Sequence, residues 1–317
     1  MRSILVSLAL AGSLASGHAI AQGRPVRLIV PFPPGPGVDL IARTVSAPLS
    51  PILGQQIVVD NRPGAGSVIG ADLAAKSPPD GNTLLFVNLG YAINAAMMTK
   101  LPYDPLRDLA PVTVVATQPH LLVVNPAVPV KSVRDLINLA KSKPGEVIFA
   151  SAGNGTGPHL VGEMFSSMTG VRMNHIPYKG ANPALVDVIG GHAQIMFATL
   201  VSSLPHVQSG KLRPIAVTSV KRARHLPEVP TMIESGIPNF EAVGWYMVLV
   251  PARTPAPVMA RLQTAVAEAL TDATVRERLS GDGAELVANK PADAMRFLQT
   301  EIKRWGAVAK AAGLKSE

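Results

Sequence analysis

The sequence predicts an α/β protein of two lobes, each a parallel-rich sheet flanked by helices. Short apolar runs recur along the chain, each followed by a Gly- or Pro-rich loop and then by a stretch with helical spacing. This unit repeats three times before residue 121 and again through the middle of the chain, an alternation that calls for parallel strands covered on both faces. Two apolar segments, 121–126 and 213–219, pass between the two series. They divide the chain into one lobe of residues 22–125 and 220–317 and a second of residues 126–219.

Taken in order, Val26–Val30 reads as a buried strand, Pro31 to Gly37 as a loop that cannot continue it, and Val38–Ala47 as a helix. Such a junction turns unpaired N–H groups and the positive end of a helix dipole into one concavity, where an anion can be held without a cationic side chain. Gln55–Val59 is a second strand, Asp60 to Ser67 a second Gly-rich loop, Val68–Lys76 a helix, and Thr83–Val87 a third strand running into Asn88. Leu121–Asn125 is a strand, and Ser132 with Asp135 three residues on starts a helix that Pro144-Gly145 stops. Val147–Ala150, Arg172–Pro177, Ala193–Ala198 and Arg213–Ser219 follow as strands. The loop from Ser151 to Pro158 feeds a helix near His159, and Pro183 opens another. Val243–Val250 is the last predicted strand. Thr254-Pro255 caps a helix carrying Val258, Leu262, Val266 and Leu270, and a final helix after Pro291 aligns Met295, Leu298, Ile302, Trp305 and Ala309.

Residues 1–21 read as a secretory leader, with Arg2, an apolar stretch from Ile4 to Leu14, and Ala19-Ile20-Ala21 as the cleavage site. The expected location is the periplasm. With no cysteine there is neither a lipid-attachment site nor a disulfide framework. The net charge is +8, yet the basic residues are scattered and aromatics make up only 4% of the chain, so nucleic acid is not expected as a partner. The seven histidines are isolated and no H-E-x-x-H occurs, so no metal or other cofactor is expected. No G-x-S-x-G elbow is present, and Gly153 to Gly157 lacks the Lys of a phosphate loop. The enzyme reading that survives is a secreted α/β hydrolase using Ser151 and His159, whose spacing is not catalytic; the expectation is a protein that is not an enzyme.

Eight stretches together resemble the Bug family, the extracytoplasmic solute-binding receptors of tripartite tricarboxylate transporters. They are Val30-Pro-Phe-Pro-Pro-Gly-Pro-Gly-Val-Asp-Leu-Ile-Ala-Arg43; Asp60-Asn-Arg-Pro-Gly-Ala-Gly66 with Ile69-Gly-Ala71; Pro79-Asp-Gly-Asn-Thr-Leu-Leu85; and Leu101-Pro-Tyr-Asp-Pro105. The others are Ser151-Ala-Gly-Asn-Gly-Thr-Gly-Pro-His-Leu160; Pro177-Tyr-Lys-Gly180; Pro227-Glu-Val-Pro-Thr231; and Trp245 before Pro251. The resemblance covers essentially the whole chain after the leader. It implies a two-lobed periplasmic-binding-protein fold of the type II kind, a ligand cleft between the lobes, a small organic acid as ligand, membrane permease subunits as partners, and a monomer.

Carried over by position, the resemblance implies a first-lobe loop of Phe32, Pro33, Gly35, Gly37, Val38 and Asp39 and a second-lobe loop of Ser151, Gly155, Thr156 and His159. Phe32 would wall the pocket, the glycines would let the backbone approach, and Ser151 and Thr156 would offer hydroxyls. Pro36 between Gly35 and Gly37 removes one N–H from the first loop. Asn88, Ala198 and Thr199 complete the expected pocket; Ala198-Thr199 stands where many relatives carry Asp-Asn, which leans towards a ligand whose far end is uncharged or anionic. Asp39 reads more readily as a helix cap than as a ligand group, and Arg43 and Arg62 as structural ion-pair partners.

Overall fold

The computed structural model describes residues 24–35, 38–281, 284–311 and 313; the expected leader and Pro36 and Gly37 lie outside them. Strand β1 (Val26–Val30) is flanked in parallel by β2 (Ile57–Asn61) and β3 (Thr83–Asn88), with Leu28 opposite Val59 and Leu84. After each strand comes a helix: α1 (Val38–Leu53), α2 (Val68–Ala75) and α3 (Gly90–Met97). Helix α1 runs past Ala47, the end expected for it, and through Pro48 and Pro51. Leu49 and Leu53 are buried against the sheet, and that burial outweighs the two missing N–H donors.

The 16-residue strand β4 (Leu109–Val124) then passes through both halves of the sheet. The middle of the chain follows as α4 (Val133–Ser142), β5 (Ile148–Ser151), α5 (Gly157–Thr169), β6 (Asn174–Pro177), α6 (Ala181–Gly190), β7 (Ile195–Thr199), α7 (Leu200–Gln208) and β8 (Arg213–Val217). The chain ends with β9 (Val243–Pro251), α8 (Ala256–Ala269), α9 (Ala273–Gly281), β10 (Glu285–Leu286) and α10 (Pro291–Ala311). The sequence reading missed α9 and β10. It also made Thr254 the cap of α8; Pro255 holds that position, and the buried Thr254 hydroxyl donates to the Pro251 carbonyl instead.

From Leu109 to Pro119, β4 pairs with β9, which in turn pairs with β3, while β10 borders the other side of β4. From His120 to Val124 it lies between β7 and β8, with β5 and β6 beyond β7. Every contact of β4 and β9 is antiparallel, so the expectation of parallel sheets holds for β2-β1-β3 and β7-β5-β6 and fails where the two halves join. The crossing is tied by hydrogen bonds. The Thr218 hydroxyl accepts the His120 N–H at 2.8 Å and donates to the Ala242 carbonyl at 2.6 Å, and the Ala242 N–H returns to the Thr218 carbonyl at 3.0 Å. All three residues are buried. Thr218, within the segment 213–219, and Ala242 thus flank β4 where it passes from one half of the sheet to the other.

Three apolar layers cover the sheet. Helices α1, α8 and α9 pack on one face of the first half through Leu49, Val266 and Leu279. Helices α6 and α7 cover one face of the second through Leu185 and Leu204. The remaining layer is continuous through both halves and carries the largest side chains, Trp245, Trp305, Phe149 and Phe165, under α3, α5 and α10.

Candidate functional site

A cleft of about 1310 Å³ opens between the two half-sheets. Its walls come from the junctions between strands and helices. Pro31 to Pro33 precede α1, Pro63 to Ser67 precede α2, Asn88 to Gly90 lead into α3, Asn154 to His159 into α5, and Thr199 is the N-cap of α7. The first-turn N–H groups of a helix have no intrahelical acceptor, so the α5 junction, whose first-turn residues Gly157 and His159 are in the lining, brings unpaired donors and a positive dipole end to the cleft. Among the described lining residues there is no Lys or Arg.

On the α5 side the loop is held in shape by its own side chains. The Ser151 hydroxyl accepts the Gly153 N–H at 3.1 Å and meets His175 Nε2 at 2.6 Å, while Thr156 Oγ1 donates to the Gly153 carbonyl at 2.7 Å. The Gly155 N–H donates to His159 Nδ1 at 3.0 Å, which makes Nδ1 the unprotonated nitrogen. Gly155 has φ +71°, a left-handed conformation that suits glycine. The donors left for a ligand are the N–H groups of Gly157 and His159 in the first helical turn, Pro158 between them having none.

The rings of His159 and His175 stack with centroids 3.9 Å apart, and Phe149 continues the stack at 4.7 Å from His175. Burial lowers the His159 pKa; burial and then the neighbouring His159 bring His175 down to about 4. Glu163 lies 3.7 Å from His159 Nε2, and burial raises its pKa. At the floor, His120 is held near 4 by burial, against which its Ala242 carbonyl contact works. All three imidazoles are therefore neutral at pH 7. A smaller cavity of about 340 Å³ lies beyond Glu163, lined by Gly145, Ser166 and Asn174 among others, and receives none of these junctions.

On the other side, Asn88 Oδ1 accepts the Gly90 N–H at 3.0 Å, leaving its amide NH2 to offer. The run Gly64, Ala65, Gly66 and Ser67 has φ values of 130°, 44°, 61° and 89°, the left-handed side of the map throughout. Asn94 steadies it by donating to the Gly66 carbonyl, with Ser67 Oγ at 3.3 Å.

Of the residues expected from the sequence, Phe32, Pro33, Asn88, Gly155, Thr156, His159 and Thr199 line the cleft. Gly37 lies outside the described residues. Gly35, Val38, Asp39, Ser151 and Ala198 are not in the lining. Val38 and Ala198 are core residues, and Ser151 is fully buried behind the loop. Asp39 accepts from the Gly35 N–H, Arg43 and Asn61; burial pushes its pKa up, but these three bonds outweigh it and keep the carboxyl ionised. It is a loop-organising cap, and Arg43 and Arg62 are ion-paired to Asp39 and Asp60. The sequence reading missed Ala65, Asn94, Met97, Gln118, His120, His175 and Trp245 as lining residues. The Gly-rich run at 63–67 was a usable signal for the first of these, being the same kind of junction as the other two loops.

The hydroxyls of Ser67, Thr156 and Thr199 in the lining meet Asn94 Nδ2, the Gly153 carbonyl and Ser202 Oγ. The Ser151 hydroxyl points to His175 and not to His159, and it is sealed from the cleft, which removes the hydrolase alternative. No group of three or more His, Asp or Glu that could hold a metal occurs among the described residues.

The family model of the tripartite tricarboxylate transporter family receptor matches residues 41–314. Protein BugT of Bordetella pertussis is 41% identical over 92% of this chain and 90% of its own length. Among solved structures, an R. palustris protein with adipate is 39% identical with a TM-score of 0.78, covering 92% of this chain and 98% of that one. MatC from Rhodopseudomonas palustris, with bound malate, is 31% identical with a TM-score of 0.76, covering 90% and 99%. The family match over residues 41–314, together with relatives that are 31–41% identical along nearly their whole length, makes this chain a member of the tripartite tricarboxylate transporter receptor family, a family of solute-binding receptors.

Proposed function

We propose that this protein is a periplasmic receptor that captures a small organic carboxylate and delivers it to the permease of a tripartite transporter. The observation that carries the reading is the convergence of five strand-to-helix junctions, from both half-sheets, on one cleft that has no cationic side chain in its described lining. N–H groups and helix dipoles suffice to hold a carboxylate without a cationic side chain. The adipate and malate held by two relatives are both of this class. The leader is removed near Ala21, and the mature chain works as a monomer of two lobes, 22–125 with 220–317 and 126–219.

In this reading the ligand rests first on the side of Asn88 and the α2 and α3 junctions. Closure then brings the α5 N–H groups onto it, and contact made only in the closed state shifts the population. Gly157 is where the sides meet: a Cβ there would stand 2.9 Å from His120 Nε2 and 3.4 Å from Leu89 Cδ2. Gly157→Ala is expected to prop the cleft open and weaken binding about tenfold without loss of fold, as measured by calorimetric titration. Gly155→Pro is expected to weaken it about 100-fold, because proline cannot take φ +71° and lacks the N–H that His159 holds. Undiminished binding in that variant would refute the role given to this loop.

The test of the function is a thermal-shift screen of residues 22–317 against mono-, di- and tricarboxylates, aromatic acids and amino acids. A ligand at 100 times its Kd stabilises by roughly 2.7 kcal/mol. No shift with any acid, and no acid released on denaturation, would overturn the reading. Uptake that persists after the permease is deleted would point instead to a sensor.

A further inference from the structure

Beyond the carboxylate grip, the cleft has a second chemical character. Helix α3 turns Ile93 and Met97, one helical turn apart, towards it, with Met98 at the helix end. Leu89, Phe32 and Trp245 extend the same apolar surface. Met97 and Met98 are only partly buried although they pack against the core, so their side chains remain available to a ligand. Two of the side-chain donors beside this surface already have partners within the protein, while the Asn88 amide stays with the carboxylate grip. The Asn94 amide donates to the Gly66 carbonyl, and the Thr199 hydroxyl pairs with Ser202 Oγ at 2.8 Å. Asp39 is engaged by Arg43, Asn61 and Gly35 and is not in the lining, and Glu163, the acidic residue among the described lining residues, lies on the α5 side, 3.7 Å from His159 Nε2.

We propose that, if the cleft holds a carboxylate as argued above, it selects acids with a hydrocarbon body, a straight chain or an aromatic ring, over hydroxylated or aminated acids of the same size. Met97 and Met98, with Ile93, are the specificity-determining residues. Each methylene group that moves from water onto this surface raises affinity about fourfold. A hydroxyl or ammonium group brought against Ile93, Met97 and Met98 loses its water and meets only hydrocarbon and thioether, which lowers affinity on the order of tenfold. Methionine suits the task because its unbranched thioether adapts to chain and ring alike.

The experiment is calorimetric titration of residues 22–317 with matched pairs: glutarate against 2-hydroxyglutarate, and phenylacetate against mandelate. The acid without the hydroxyl is expected to bind at least tenfold more tightly in each pair that binds. Met97→Asn and Met98→Asn, both at partly exposed positions, are expected to lower the affinity for that acid and to narrow the gap within the pair. If the hydroxylated acid binds equally or more tightly, the selectivity proposal is wrong while the carboxylate reading stands. If no acid of any kind binds, and none is released from the denatured protein, the receptor reading beneath it has failed as well. An unchanged gap in both Asn variants would remove the methionines from the proposal.

Discussion

Replacing Glu301 by alanine is expected to destabilise the protein by about 3–5 kcal/mol, the usual cost of taking one partner from a buried charged network. Glu301 is 1% exposed. Its Oε2 accepts the indole N–H of Trp245 and that of Trp305, each at 3.0 Å, and its Oε1 accepts Arg304 at 2.9 Å. Arg304 continues to Glu241 at 3.0 Å. Burial raises the pKa of Glu301, and Arg304, Trp305 and Trp245 work against that rise. Alanine would leave the two buried indole donors without acceptors, would take one of two carboxylate partners from Arg304, and would open a cavity beside them. Glu301→Gln retains one oxygen for the indoles and should recover more than half of the loss. The measurement is chemical denaturation of all three proteins; an alanine variant within 1 kcal/mol of the parent, on the order of ordinary surface substitutions, would contradict the network's role.

The consequence reaches the site, because Trp245 belongs to the floor of the cleft and α10 carries the group that fixes it. Trp245 also meets Phe297 of the same helix edge-on at 5.8 Å. The alanine variant is therefore expected to bind ligand more weakly even under conditions where it remains folded.

Glu301 illustrates which features could be read from the chain. The stripe Met295, Leu298, Ile302, Trp305 and Ala309 identifies the last helix, but a glutamate beside the stripe reads as solvent-facing. Its burial depends on two tryptophans, one of them 56 residues away. The loops at Phe32 and Gly155 were legible because glycine and proline announce a break directly after an apolar run. Ala198 was placed in the pocket in error, although strand alternation separates the two faces of β7. Met196 and Ala198 enter one core layer while Ile195 and Phe197 enter another, and only Thr199, at the strand end, reaches the cleft. Gln118 and His120 stayed hidden because Pro111 and Pro119 interrupt the pattern of β4, so that its first part did not read as strand. Pro111 sits at a shift in register with β9, where an irregular pairing accommodates it.

Acid is expected to weaken the fold well above the range in which carboxylates titrate, through the histidines around the cleft. His120 and His175 have pKa values near 4 in the folded protein, and His159 is also lowered; the ordinary value is 6.5. Between these limits the unfolded chain binds more protons than the folded one, so stability is complete above pH 6.5 and falls as the pH drops towards 4. His120, almost fully buried and with no charged group in contact, should alone withdraw about 2 kcal/mol by pH 5. Glu163 and Glu301, raised by burial, act in the opposite direction and offset part of this. The lowered carboxyls of Asp39, Asp60 and Asp80 contribute stability that is present above their ordinary value of 3.8 and is lost only as the pH falls below it. Urea midpoints at pH 7.5 and pH 5 measure the loss, and His120→Gln should reduce it. Ligand affinity is expected to fall over the same interval, because protonated His159 carries a hydrogen on Nδ1 where it must accept the Gly155 N–H, and the α5 loop then loses the bond that shapes it. Equal midpoints at the two pH values would show that these imidazoles are not held neutral by burial.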